Sequence, residues 1–188
     1  MKRKPSIIAP IAIFFALMLV IHFLSSIIFN ILPVPIKPTL IHIPVIIASI
    51  LYGPRVGAIL GALMGIISVI TNTVILLPTS YLFSPFVENG NLYSLLIAIL
   101  PRILVGISPY FVYKSLKNKA GLVLAGAVGS ATNTIFVLGG IFILFSNVYK
   151  GDIQALLALI LSANSILELV IAAFLTILIV PSLEKVRK

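Results

Sequence analysis

Long apolar runs, broken by short clusters of proline, glycine and charge, set the pattern of this 188-residue chain. The runs cover about 7–31, 40–52, 54–77, 92–113, 120–146 and 153–180, and each predicts one helix. A membrane-spanning helix needs about 20 largely apolar residues, so the run at 40–52 is short for a span. The corner Tyr52-Gly53-Pro54-Arg55 joins it tightly to the third run. The stretch 78–91, PTSYLFSPFVENGN, is rich in proline, aromatic and turn residues. Its semi-apolar character predicts a loop folded over the protein rather than a free linker. The expected fold is an all-α membrane protein, a six-transmembrane-helix bundle forming a single domain over residues 1–188.

Composition supports the membrane assignment. The chain is 61% hydrophobic and only 9% charged, against roughly 25% charged in soluble domains. A formal charge of +9 could suggest nucleic acid, but that requires a basic surface in water. Here the basic residues sit between apolar runs, where they act as topology signals. Lys2, Arg3, Lys4, Arg55, Lys114, Lys117, Lys119, Lys185, Arg187 and Lys188 fall on one side of a six-span arrangement. The other side receives Lys37 and Lys150, a bias that predicts cytoplasmic termini. Residues 32–39, 78–91 and 147–152 then face outward. Lys2-Arg3-Lys4 resembles the front of a signal peptide, but the apolar run behind it continues to Ile31, too long for a signal core, and serves as the first span.

Chemistry is sparse. There is no cysteine, and His22 and His42 stand alone in different runs, as packing histidines do. No metal set or cofactor is expected. GxSxG, HExxH and the phosphate loop GxxxxGK[ST] are absent, so the chain is not expected to be an enzyme, and any ATPase would be another polypeptide. Gly57, Gly61 and Gly65, and again Gly121, Ala125 and Gly129, recur every fourth residue and predict close helix packing.

The polar residues within the apolar runs carry the interest. At about 1.5 Å of rise per residue, Asn72 lies about 25 Å beyond Arg55 and Asn133 about 21 Å beyond Lys119. Arg102 falls near the midplane, Asn164 lies roughly 18 Å below Asp152, and Glu168 is one turn further on the same face. Four helices thus carry polar groups at similar depth. Arg102 and Glu168 are the charged residues deep in a span, which costs about 2.5–3.5 kcal/mol each at a helix centre. A structural Arg102–Glu168 ion pair is one explanation. A binding cavity is the other: Arg102 would fix a carboxylate, and the asparagines with Thr132 in the Thr132-Asn133-Thr134 triplet would meet hydroxyls or amides.

Several motifs resemble those of one family. AIFFA in the first run, HIPVIIASILYGPRVGAILGALMG across the second and third, FSPF in the loop, PRILVG in the fourth and GSATNTIFVLGGIF in the fifth are similar to the substrate-binding S components of energy-coupling factor (ECF) vitamin transporters. The combination HIPVI, PRILVG and TNT…LGG is most similar to the pantothenate type. The resemblance implies a bacterial cell-membrane protein whose outer loops cap a cavity that binds the vitamin from outside. It implies partnership with a membrane coupling protein and two ATPase subunits, with the small patch Ala12 and Ala16 on the first helix as the coupling contact. Arg102 and Asn133 stand in the matching motifs and are the expected ligand contacts, with Asn72, Asn164, Thr132 and Glu168 beside them.

Alternatives stay open at this point. Riboflavin and folate types prefer aromatic pockets, which Phe83, Phe86, Tyr81 and Tyr110 could supply. The thiamine type is disfavoured by the absence of tryptophan. A structural membrane subunit, a membrane enzyme using Arg102 and Glu168, and an ion-driven carrier are rivals outside the family.

Overall fold

The computed structural model describes residues 7–31, 39–77, 79–145 and 152–187. Six α-helices follow one another: α1 Ile8–Ile31, α2 His42–Tyr52, α3 Pro54–Val74, α4 Leu92–Ser115, α5 Lys119–Leu144 and α6 Asp152–Arg187, with a single 3-10 turn at Ser80–Leu82 between α3 and α4. The outer connections expected at 32–39 and 147–152 lie almost wholly outside the described residues.

Five of the helices contain a stretch long and apolar enough to cross a membrane, and α2 does not. At 11 residues it is about 16 Å long, roughly half the hydrocarbon thickness. The second apolar run is therefore a buried core helix. Every residue from His42 to Leu51 is buried, and α2 packs against α1, α3, α4, α5 and α6. Its N-terminal end lies within protein, where a helix too short to span can satisfy its terminal groups, and its C-terminal Tyr52 is exposed. The exposed apolar side chains belong to the long helices, as with Ile13, Leu17, Val20 and Leu24 along α1. That is the surface a lipid-facing helix presents.

Local sequence explains the corners. Gly53 alone separates α2 from α3, and its φ of 95° is open to glycine but costly for other residues. Pro54 follows at the first helical position, where its missing N–H is no loss. A reciprocal cap starts α4: Tyr93 N donates to Asn91 Oδ1 at 2.8 Å and Asn91 N donates to Ser94 Oγ at 3.1 Å. At the start of α5, Gly121 N donates to Asn118 Oδ1 at 2.7 Å.

The glycine series on α3 brings that helix against the backbone of α4. A methyl group on Gly61 would come 2.1 Å from the Arg102 carbonyl oxygen, and one on Gly57 would come 1.9 Å from that of Gly106. Backbone atoms cannot swing aside, so only glycine permits this approach. The contact sets the height of Arg102 against α3.

The loop at 79–91 is folded onto the bundle, as its composition predicts. Leu82 is buried with Ile97, Val137, Ile141 and Phe145, and Tyr81 meets the Phe145 ring edge-on. Hydroxyls tie the loop down: Thr73 Oγ1 lies 2.6 Å from Ser84 Oγ, and Ser94 Oγ donates to Tyr81 O at 2.5 Å. Replacing Gly61 by Ala is expected to force α3 from α4 and to lower stability by about 1–3 kcal/mol. Gly139, whose added methyl meets nothing within 4 Å, is expected to accept Ala without loss. Thermal unfolding of both variants in detergent checks the contrast.

Candidate functional site

Helical spacing brings polar residues from separate helices to one cavity of about 460 Å³. On α3 the wall is formed by Met64, Ile67, Ser68, Thr71 and Asn72, which recur at three- and four-residue steps along one face. The same periodicity supplies Asn133, Thr134, Val137 and Leu138 from α5, and Asn164, Ser165 and Glu168 from α6. Arg102 enters from α4, His22 from α1, and Thr39 and Ile41 from the approach to α2. Leu77, Thr79 and Phe83 contribute from the segment joining α3 to α4.

Arg102 is 9% exposed. Its Nη1 donates to Ile97 O at 2.6 Å, and its guanidinium carbon lies 5.2 Å from the centre of the Phe83 ring. That distance is within cation–π range, so the folded loop covers the charge. Nε is buried with no hydrogen-bond partner. Glu168, 6% exposed, accepts from Thr39 N at 2.5 Å and so fixes the chain just before α2. The two charged residues line the same cavity. Among the described residues no ion pair joins them, and each is held by a backbone group instead.

The asparagines also leave capacity unused. Asn133 Oδ1 and Asn164 Oδ1 are buried acceptors without a partner. An orphaned buried polar atom costs about 1–3 kcal/mol, so a guanidinium N–H and two amide oxygens left unpaired in three residues that line the cavity form a set that a polar guest can complete. Elsewhere the wall is satisfied internally: Asn72 Nδ2 donates to Ser68 O at 2.9 Å, Thr134 Oγ1 donates to Ser165 Oγ at 2.9 Å, and Thr71 Oγ1 lies 3.2 Å from His22 Nε2. Among the described residues, no three His, Cys, Asp or Glu side chains gather as a metal set.

Of the six residues expected at the site, Arg102, Asn133, Asn72, Asn164 and Glu168 line the cavity, and Thr132 does not. The Thr132 hydroxyl donates to Val128 O at 2.7 Å and lies 3.1 Å from Ser108 Oγ on α4, so it serves the α4–α5 contact. Thr134, two residues on, takes the cavity face. His22, read from sequence as a packing residue, stands on the cavity wall, as do Thr71, Ser68 and Ser165. The four-residue step from Ser68 to Asn72 was a usable signal for Ser68, whereas the His22–Thr71 pairing across 49 residues had none. Ala12 and Ala16 are exposed on α1, away from the cavity. Glu168→Gln keeps an acceptor for the Thr39 N–H and is expected to hold the wild-type unfolding temperature. Glu168→Ala removes it and should lose about 1–3 kcal/mol, readable in the same detergent melt.

Comparison with known proteins connects this geometry to a family. The profile of the ECF transporter substrate-specific component matches residues 7–180, from the start of α1 to within α6. The chain is also 48% identical over 191 residues to the pantothenic acid transporter PanT of Lactococcus lactis subsp. cremoris (strain MG1363), an alignment covering 99% of this chain and 97% of that protein. With membrane-length apolar helices around a cavity that gathers several polar side chains, and a match along nearly its whole length, this chain is a multi-pass membrane protein that belongs to the substrate-specific components of ECF transporters.

Proposed function

We propose that this chain captures pantothenate from outside the cell and delivers it to an ATP-driven ECF module. The observation that carries the reading is the unpaired set among the cavity-lining residues: the buried Arg102 Nε with the Asn133 and Asn164 oxygens. Pantothenate offers the complementary groups. Its carboxylate accepts from the guanidinium in a charge-assisted bond, and its hydroxyls and amide N–H donate to the asparagine oxygens. Asn72 and Glu168 complete the polar wall. A cavity of about 460 Å³ is within the range of small-molecule sites, roughly 300–1,000 Å³. The 48% identity to a protein named as a pantothenic acid transporter supports the same substrate.

The aromatic alternatives lose support. Of the four aromatic residues that could sandwich a flavin or pterin ring, Phe83 alone lines this cavity. Tyr81 and Phe86 border a separate depression on the far side of the loop, and Tyr110 packs against Phe111.

Orientation follows from charge. Arg55, Lys114, Lys117, Lys119 and Lys185 lie at the helix ends opposite the cavity. The positive-inside rule puts that end, with both termini, in the cytoplasm, so the cavity opens outward. The chain has no phosphate loop, and ATP hydrolysis falls to two partner ATPases acting through a membrane coupling protein. Ala12 and Ala16 sit one turn apart on the exposed face of α1, where a partner helix can approach closely. The purified chain in detergent is expected to bind pantothenate in preference to riboflavin, folate and biotin. Arg102→Ala should weaken binding about 10- to 100-fold, and Asn133→Ala about 10-fold. Calorimetric titration decides: folded protein that ignores pantothenate but takes another vitamin sinks the substrate assignment, and indifference to all four sinks the binding role.

A further inference from the structure

Two prolines stand inside α4, Pro101 and Pro109. Each withholds the N–H that would close a helical hydrogen bond to the carbonyl four residues earlier. For Pro109 that carbonyl belongs to Val105, and for Pro101 it belongs to Ile97. Ile97 is 1% exposed and packed among Leu82, Val137 and Ile141, so its unclaimed carbonyl needs a donor from within the protein. Arg102 Nη1 is that donor, at 2.6 Å. The residue after the proline fills the bond that the proline leaves open.

We propose that Pro101 is a positioning residue of the ligand site: by freeing Ile97 O it gives the Arg102 guanidinium a neutral backbone anchor that turns its Nε edge to the ligand. A guanidinium is planar, with five donors in fixed directions, so fixing one nitrogen and one face fixes the rest. Ile97 O holds Nη1 and Phe83 covers a face, which leaves Nε buried and unclaimed. The anchor's neutrality matters. A carboxylate partner would quench the charge that attracts an anionic ligand, whereas a carbonyl orients it and leaves it whole. Glu168, the acid that lines the same cavity, is engaged by the Thr39 N–H instead. Alanine at 101 would restore the N–H to Ile97 O, which would compete with Nη1 and release the guanidinium from its set orientation.

This inference rests on the proposed carboxylate ligand, and the test separates the two. Pantothenate and pantothenol, in which a primary alcohol replaces the carboxylate, are titrated calorimetrically into the purified full chain and into Pro101→Ala and Pro109→Ala. In Pro101→Ala the pantothenate-to-pantothenol affinity ratio is expected to fall about tenfold, the worth of one well-placed charged hydrogen bond. Pro109→Ala alters the same helix without touching the anchor and should keep the wild-type ratio. Equal losses for both ligands in Pro101→Ala, or undiminished pantothenate binding there, would overturn the positioning role while the functional reading stands. A wild-type chain that fails to bind pantothenate overturns both.

Discussion

Keeping the Arg102 guanidinium inside a helical bundle is the constraint around which the cavity end of the protein is arranged. A charged side chain at a helix centre costs about 2.5–3.5 kcal/mol by insertion scales, and among the described residues no acid forms an ion pair with it. Three neighbours make its place tenable. The glycine face of α3 lies flush against the α4 backbone at Arg102 itself, the Ile97 carbonyl takes one of its N–H groups, and the Phe83 ring covers it from the loop. Helix packing, a broken helical bond and a folded loop therefore meet at one side chain. What they leave unpaired is Nε, and the cavity-lining Asn133 and Asn164 likewise hold unclaimed side-chain oxygens.

Around that point the bundle divides its work. Helix α2, too short to span, fills the centre and is buried from His42 to Leu51. The approach to it is held by Glu168 through Thr39, so the second buried charge secures the scaffold while it borders the cavity. The helix ends bearing Arg55, Lys114, Lys119 and Lys185 are remote from the cavity. The cavity and the basic helix ends thus occupy opposite ends of the same helices.

Much of this was legible in the chain, for definable reasons. Hydropathy marked the helices, and counting rise per residue placed Asn72, Arg102, Asn133 and Asn164 at compatible heights. Depth alone does not give the direction a side chain faces, and this is why Thr132 was misplaced relative to Thr134. The hydroxyl of Thr132 is taken by Val128 O and Ser108 Oγ, a pairing with α4 that only the tertiary fold reveals. His22 could not be found by depth either, because its partner Thr71 is 49 positions distant and only the tertiary fold brings them together. Nor does sequence hydropathy distinguish a short span from a core helix, which depends on whether neighbours enclose it, as five do for α2.

The most direct test is a structure of the chain with pantothenate bound, read for the position of the ligand carboxylate. It should lie about 2.7–2.9 Å from Arg102 Nε, with Nη1 still on Ile97 O and the Asn133 and Asn164 oxygens accepting from ligand hydroxyl or amide groups. A carboxylate bound elsewhere in the cavity, with Nε still vacant, would contradict the role given to the buried guanidinium.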